Sequence, residues 1–366
     1  MQQELKLQDI GGFGELFEKA NEHQATDIYI LEGRLPRLGR LKNYSPVKQS
    51  SSSETSRGDI EELIGNTSSN GTGNNGHESG QMINKEYAFA IEGYGRYRVS
   101  VTQSEEGMGL AIRKLPYYIP ALRDIDRRNF LKGLFGVFEG KETKGLILHT
   151  GVTGSGKSTS IASEVDAIAR NISGNILTFE QPIEYHYTPT KALIRQYEIG
   201  THVESYIDGM KLALRNDISV VVIGEVRLHD EIKALVDIAM RGHLVFATLH
   251  TSNALNTLRF LDSISENKES WRQLLGYSLR AIVSQKLIWM KDHGFVFIPE
   301  VFIPTDVVRN KISRGEFKDI REVFNSHNLR DNGSFTFDDT LSILCRERVI
   351  SEADKQAIHN TEVAMG

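Results

Sequence analysis

Three observations predict an α/β chain built from a small α+β N-terminal part and a larger α/β part with a helical end. Between about residues 126 and 300, short apolar runs alternate with stretches of helical periodicity. The first apolar run of that region, "KGLILHT", leads through a glycine-rich loop into a helix-like segment. The chain has 366 residues, enough for two domains.

The elements follow in order. In residues 1–115, "TDIYILEG" alternates like a strand closing on a glycine turn, and "YRVSVTQ" and "GLAIRKLP" read likewise. Within this part, residues 49–80 are dominated by Ser, Asn and Gly apart from a brief "IEELI". So little apolar surface cannot offset the entropy of ordering, and a flexible insertion is expected. The proline-bounded "KLPYYIPALRDID" marks a linker over 116–125. In residues 126–366, "KGLILHT", "NILTFE", "SVVVIGEV" and "HLVFATLH" read as strands. "KSTSIASEVDAIAR", "YIDGMKLALRN" and "HDEIKALVDIAMRG" between them read as helices. That alternation argues a largely parallel sheet covered on both faces. From about residue 305 the pattern is mainly helical.

Composition bounds the function. Hydrophobic residues make up 39% and charged residues 25%, as in ordinary globular proteins, and the formal net charge is −5. A mild negative charge without an aromatic-plus-basic stripe argues against nucleic acid as a partner. No apolar run approaches the ~18 residues of a membrane span, so no insertion into lipid is expected. The first residues lack the basic end and apolar core of a signal peptide, and the single cysteine, Cys345, permits no internal disulfide. A cytoplasmic location is the expectation.

The loop "GVTGSGKST" fits G-x-x-x-x-G-K-[ST] through Gly151, Gly156, Lys157 and Ser158, with Thr153, Gly154, Ser155 and Thr159 completing it. It lies between a predicted strand and a predicted helix, the context the motif requires. Glycines let successive N–H groups converge on a nucleotide's phosphates, aided by the positive end of the helix. Lys157 adds charge toward the β- and γ-phosphates, and Ser158 offers a hydroxyl to Mg²⁺. ATP is favoured over GTP because "NKIS" at 310–313 lacks the aspartate of a guanine-reading N-K-x-D.

Acids stand where such a site needs them. Glu180 closes one strand, Glu184 follows across Pro182, and Glu225 follows "VVVI". In a parallel sheet these ends share the carboxyl edge with the loop. One carboxylate there can orient water while another, Glu225, reaches Mg²⁺ through its hydration shell. His243 and His250 flank "HLVFATLH"; with His229 their spacings match no zinc site. His250 is placed to sense a γ-phosphate.

Together "ATDIYILEG", "GYGRYRV", "GVTGSGKST", "FEQPIEY", "VVIGEVRLHDEI" and "RGHLVFATLHTSNA" resemble the type II/type IV secretion ATPases, and most of all their PilT-type pilus retraction branch. The resemblance implies a PAS-like N-terminal domain joined to a RecA-like ATPase domain. It further implies a homohexameric motor working on an inner-membrane platform protein. At matching positions, Glu184 corresponds to the general base of the Asp box and Glu225 to the Walker B acid. His243 and His250 correspond to the His box near the γ-phosphate and subunit contacts. Arg96, Arg98 and Arg113 are similar to N-terminal arginines that approach the nucleotide of a neighbouring subunit.

Four departures stand out against the family pattern. Gln181 and Ser219 replace aspartates, Tyr197 replaces an arginine, and "VVRNKI" at 307–312 puts Lys311 where the retraction motif has an apolar residue. The last leaves assembly or secretion open beside retraction. A DNA translocase and a nucleotide-gated scaffold are the remaining alternatives; DNA-stimulated turnover would favour the first, and rings that bind ATP without hydrolysing it the second.

Overall fold

The computed structural model describes residues 4–23, 25–40, 43–46, 54–68, 86–116, 118–141, 144–290, 294–325 and 331–363. They form two compact units. The first comprises Met1–Tyr118 with Gln181–His186, the second Ile119–Glu180 with Tyr187–Gly366. The segment "QPIEYH" therefore groups with the first unit, although its neighbours in sequence belong to the second.

The first unit is a six-stranded sheet of β1 (Asp27–Leu31), β2 (Arg37–Arg40), β3 (Asn43–Pro46), β4 (Glu86–Ile91), β5 (Gly95–Ser104) and β6 (Gly107–Leu115). Its order is β3-β2-β1-β6-β5-β4 and every pairing is antiparallel. The sheet with its helices is the PAS-like arrangement the resemblance implies. Phe17, on the helix Gly14–Glu22, meets Phe89 of β4 and Tyr97 of β5 edge-on at 5.9 and 4.9 Å, while Phe89 and Tyr97 stack at 5.6 Å. Such pairs add specific geometry to the apolar burial that drives the packing.

The flexible segment expected over 49–80 is corrected in part. Arg57–Ser68 is a helix that buries Ile60, Leu63, Ile64 and Thr67. Those residues recur at helical spacing and so form one face. A reciprocal cap starts the helix: Ser56 N donates to Asp59 Oδ2 at 2.8 Å, and Asp59 N donates to Ser56 Oγ at 3.2 Å. Thr67 Oγ1 lies 2.8 Å from Tyr87 Oη, tying the far end to β4. Residues 49–53 and 69–80 lie outside the described residues.

The second unit is a seven-stranded sheet of β7 (Gly145–Thr150), β8 (Asn175–Glu180), β9 (Leu193–Glu198), β10 (Val220–Ile223), β11 (Leu244–Leu249), β12 (Leu279–Met290) and β13 (Gly294–Phe302). The order is β13-β12-β7-β11-β10-β8-β9. All pairings are parallel except β12 with β13. The antiparallel β12–β13 pair and the edge strand β9 go beyond the sequence reading. Alternate residues serve opposite faces, as strand geometry dictates. Leu146, Leu148, Val221, Ile223, Val245 and Ala247 join one core. Ile147, Val220, Val222, Leu244 and Phe246 join the other, with Ile161, Val165 and Ile168 of the helix Lys157–Asn171. This two-sided burial explains the uniformly apolar strands. Past β13 come the helices Asp306–Arg314, Phe317–Asn325, Phe337–Arg346 and Glu352–Val363.

Candidate active site

Strand β7 carries the chain to the sheet's carboxyl edge at Thr150, and the helix Lys157–Asn171 begins seven residues on. Gly151 turns the chain at φ +141°, where a Cβ would stand 2.4 Å from the backbone O of Gln285 on β12. Gly154 and Gly156 take φ +81° and +88°. Lys157 is 7% exposed, and its Nζ donates to the carbonyls of Gly151 at 2.7 Å and Val152 at 3.0 Å. The ammonium is thus held within the loop that a polyanion would fill. Ser155 Oγ is buried with no hydrogen-bond partner among the described residues. A helix N-terminus, a captive lysine and an unpaired buried hydroxyl fit a phosphate group.

Two acids gather at the same edge. Glu180, at the end of β8, accepts from Thr178 Oγ1 at 2.7 Å and from Gln196 Nε2 of β9 at 3.3 Å. Glu225 follows β10 on a strap pinned at both sides. Gly224 N donates to Phe179 O at 2.8 Å, and Thr248 Oγ1 donates to Gly224 O at 2.6 Å. The Arg227 guanidinium grips the Glu225 carboxylate with two bonds of 2.8 Å, and His250 Nε2 lies 2.9 Å from Glu225 Oε1. The Arg227 hydrogen bond chiefly, with smaller help from His250, holds the Glu225 carboxyl below its ordinary pKa against partial burial. The Tyr206 phenol is pushed up first by burial and then by the charges of Glu225 and Glu180. A hydroxyl at Ser158 and a carboxylate at Glu225 are the hard oxygen donors Mg²⁺ takes.

The remaining residues divide. Glu184 lies in the first unit with the three arginines. Arg98 and Arg113 are register partners on β5 and β6, so they share a face. Arg96 donates to the carbonyls of Ile183 at 3.0 Å and Glu184 at 3.2 Å. Arg98 pairs with Glu86 at 2.8 Å and approaches Glu184 at 3.9 Å. Arg113 is bound to Asp27 at 2.7 Å. His243 is the correction: it precedes β11, at the opposite edge from the loop, where its Nδ1 donates to Ile218 O at 2.7 Å. A parallel strand's two ends lie on opposite edges, so within one chain His243 and His250 cannot both face the phosphate loop. Ser219 likewise precedes β10, at the amino edge. Tyr197 stacks on Phe179 at 5.4 Å.

Sequence reasoning missed Arg227, whose only signal was its place two residues after Glu225. It also missed Gln285, which lies 130 residues from the loop it supports and carries no motif. Beside the loop, Ser155, Gly156 and Thr159 border a cavity of about 970 Å³ with Arg128, Phe130 and Phe335.

A phosphate loop on an inner strand of a RecA-like sheet, with acids on other strand ends at the same edge, defines the class: a nucleotide-binding P-loop ATPase. Residues 106–308 match the family model described as type II/IV secretion system protein. The chain is 32% identical over 286 residues to the twitching motility protein of Neisseria gonorrhoeae, covering 77% of this chain and 75% of that one. It is 39% identical over 241 residues to the uncharacterized protein YggR of Escherichia coli K12, covering 65% and 72%. Among solved structures it is similar to the pilus retraction motor PilT with bound ADP, with a TM-score of 0.79, 29% identity and 96% of both chains covered. The chain belongs to the type II/IV secretion system protein family.

Proposed function

We propose that this ATPase is the motor of a type IV pilus system, and that it drives retraction. One observation carries the reading: the likeness to the retraction motor PilT extends over 96% of both chains, the N-terminal unit included. The relative in N. gonorrhoeae, a twitching motility protein, points the same way.

ATP takes the phosphate loop, with its phosphates on the amides of residues 151–158 and Lys157, and its nucleoside in the adjoining cavity. Glu180 lies beside the bound nucleotide at the same edge. Ser158, with Glu225 through water, would hold Mg²⁺, which would supply charge neutralisation at the phosphates. Glu184 is the general base that takes the proton of the attacking water. Arg96 orients Glu184 through its bonds to the Ile183 and Glu184 carbonyls. Arg98 and Arg113 complete a cationic face that closes on the phosphates of a neighbouring subunit in a homohexamer, where His243 serves the subunit contact and His250 the γ-phosphate. Hydrolysis reopens the gap, and the segment 116–125 is the hinge of that rigid-body movement. The load is an inner-membrane platform protein, which the motor meets from the cytoplasm; among the described residues no helix is long and apolar enough to cross a membrane.

A second reading, assembly or secretion, draws on Lys311. It forms ion pairs with Glu316 at 3.3 Å and Asp319 at 3.1 Å, where the retraction motif has an apolar side chain. Deletion of the gene followed by a pilus count separates the readings. Excess pili without twitching indicates retraction, bald cells indicate assembly, and normal pili with lost secretion indicates a secretion motor.

A further inference from the structure

The core beneath the phosphate loop contains a polar chain that nucleotide chemistry does not require. His149 and Glu164 are both 0% exposed and Gln285 is 1% exposed. His149 Nε2 lies 3.0 Å from Glu164 Oε2, and His149 Nδ1 lies 3.1 Å from Gln285 Oε1. Gln285 Nε2 then donates to the carbonyl of Ser155 at 2.9 Å and to Ser160 Oγ at 3.2 Å. Ser155 belongs to the loop and Ser160 to the first turn of the helix behind it. A parallel link, Thr150 Oγ1 to Ser284 Oγ at 2.8 Å, joins the same two strands one residue further on.

The donors fix the chemistry. The Ser155 carbonyl only accepts, so Gln285 must turn its NH₂ toward the loop and its oxygen toward His149. His149 therefore donates from Nδ1 to that oxygen, and a single proton bridges its Nε2 and the Glu164 carboxyl. Burial alone pulls the ring's pKa down, but Glu164's charge and hydrogen bond reverse that, and the net shift is up.

Buried ion pairs are seldom the most stable way to fill a core; apolar side chains of equal volume often match or exceed them. Here the pair ends on a backbone carbonyl of the phosphate loop. We propose that Glu164, His149 and Gln285 form a positioning chain that fixes the loop's path and thereby sets its affinity for nucleoside diphosphates and triphosphates. Glu164 orients His149, His149 orients the Gln285 amide, and the amide anchors Ser155 and Ser160. Gln285 is also the floor of the loop, since its backbone O meets Gly151 and its Nε2 would stand 3.4 Å from a Cβ at Gly156. None of the three touches the reacting atoms; they are positioning residues. The inference rests on the loop being the nucleotide site.

The test uses the full chain and N-methylanthraniloyl-ADP as probe. Gln285→Met keeps the volume and removes both bonds to the loop side. Losing two neutral hydrogen bonds predicts a Kd raised about tenfold. KM for ATP rises in parallel while kcat stays within about twofold, because uniform binding rather than transition-state stabilisation is lost. If the single variant misfolds, the apolar triple Glu164→Met, His149→Phe, Gln285→Met decides. It removes the buried charges and is expected to melt no lower than the parent, yet to bind the probe about tenfold more weakly. Either variant folded with a Kd within about twofold of the parent overturns the proposal, since a packing role alone would leave binding unmoved. A parent that binds no probe would sink the nucleotide reading itself, and this inference with it.

Discussion

Gly151→Ala and Gly154→Ala form a matched pair, because the two glycines share a loop but not surroundings. A Cβ at Gly154 meets nothing within 4 Å, so alanine there pays only for its backbone at φ +81°, about 1–2 kcal/mol. At Gly151 the backbone lies at φ +141°, and the Cβ would stand 2.4 Å from Gln285 O and 2.7 Å from Ser155 Oγ. The serine can rotate. The Gln285 backbone is held in β12, opposite Pro299 of β13 and one residue past the last pairing with β7. The loop must therefore give way. Strain in a glycine-only region costs ~1–3 kcal/mol and overpacking a further ~1–3 kcal/mol, so roughly 2–6 kcal/mol falls on the loop. At 1.4 kcal/mol per decade, Gly154→Ala should weaken ADP binding about five- to 30-fold, and Gly151→Ala from about 30-fold to beyond 10⁴-fold. Isothermal titration with ADP, beside thermal unfolding of each variant, measures this. Equal affinities for the two variants, with unfolding unchanged, would refute the view that the close approach of β12 shapes the loop.

Other expectations are local. Lys157→Ala should abolish turnover; Glu184→Gln should bind ADP like the parent yet hydrolyse no ATP, and a parental rate would refute Glu184 as base. Ile64, 1% exposed on the helix Arg57–Ser68, should cost about 2–5 kcal/mol on truncation to Ala. A urea-melt difference below ~1 kcal/mol would mean that this helix does not pack on the first unit's core. Asp126 is pushed up from 3.8 to about 6, chiefly by burial, against the hydrogen bonds of the Leu131 and Phe130 amides; Glu164 adds to the rise and Arg128 opposes it. A raised carboxyl pKa means the native state holds the proton more tightly. Its contribution to stability is therefore greatest below about pH 4, falls as pH rises to about 6, and stays lost above, by about 3 kcal/mol in all. Denaturant melts of parent and Asp126→Asn between pH 4 and 7 read this as a smaller pH-dependent loss in the variant, and identical pH profiles would refute it.

Legibility in the sequence followed distance along the chain. The phosphate loop was readable because all its parts lie within nine residues and its flanks announce a strand and a helix. Glu225 was readable because an apolar run such as "VVVI" fixes where a strand ends. His243 shows a rule applied incompletely: a parallel sheet sends the start of every strand to the edge away from the loop, so its position before "LVFATL" already excluded it from the phosphates of its own chain. The helix Arg57–Ser68 was hidden by composition. Three of its four buried side chains lie in "IEELI", but the surrounding Ser, Asn and Gly outweighed that short run. The contacts of Arg96 and Arg98 with Glu184 were not legible at all, because strand β5 and the loop after β8 lie some 88 residues apart.

The polar chain under the loop was beyond sequence reasoning for a different reason. His149 interrupts the apolar run "GLILHT", and taken alone it reads as a strand nearing its solvent end. Yet it is fully buried, and its partners stand 15 and 136 residues away, on the helix behind the loop and on a strand the hydrophobic pattern had not marked. A polar residue within an apolar strand signals only that some partner exists, because a buried hydrogen-bonding group must be satisfied. Which partner it has depends on strand order. Only once β12 lies beside β7 does the histidine become the middle of a path from a buried carboxylate to the loop that grips phosphate. The sheet's topology, more than any local motif, makes the loop's conformation a property of the whole second unit.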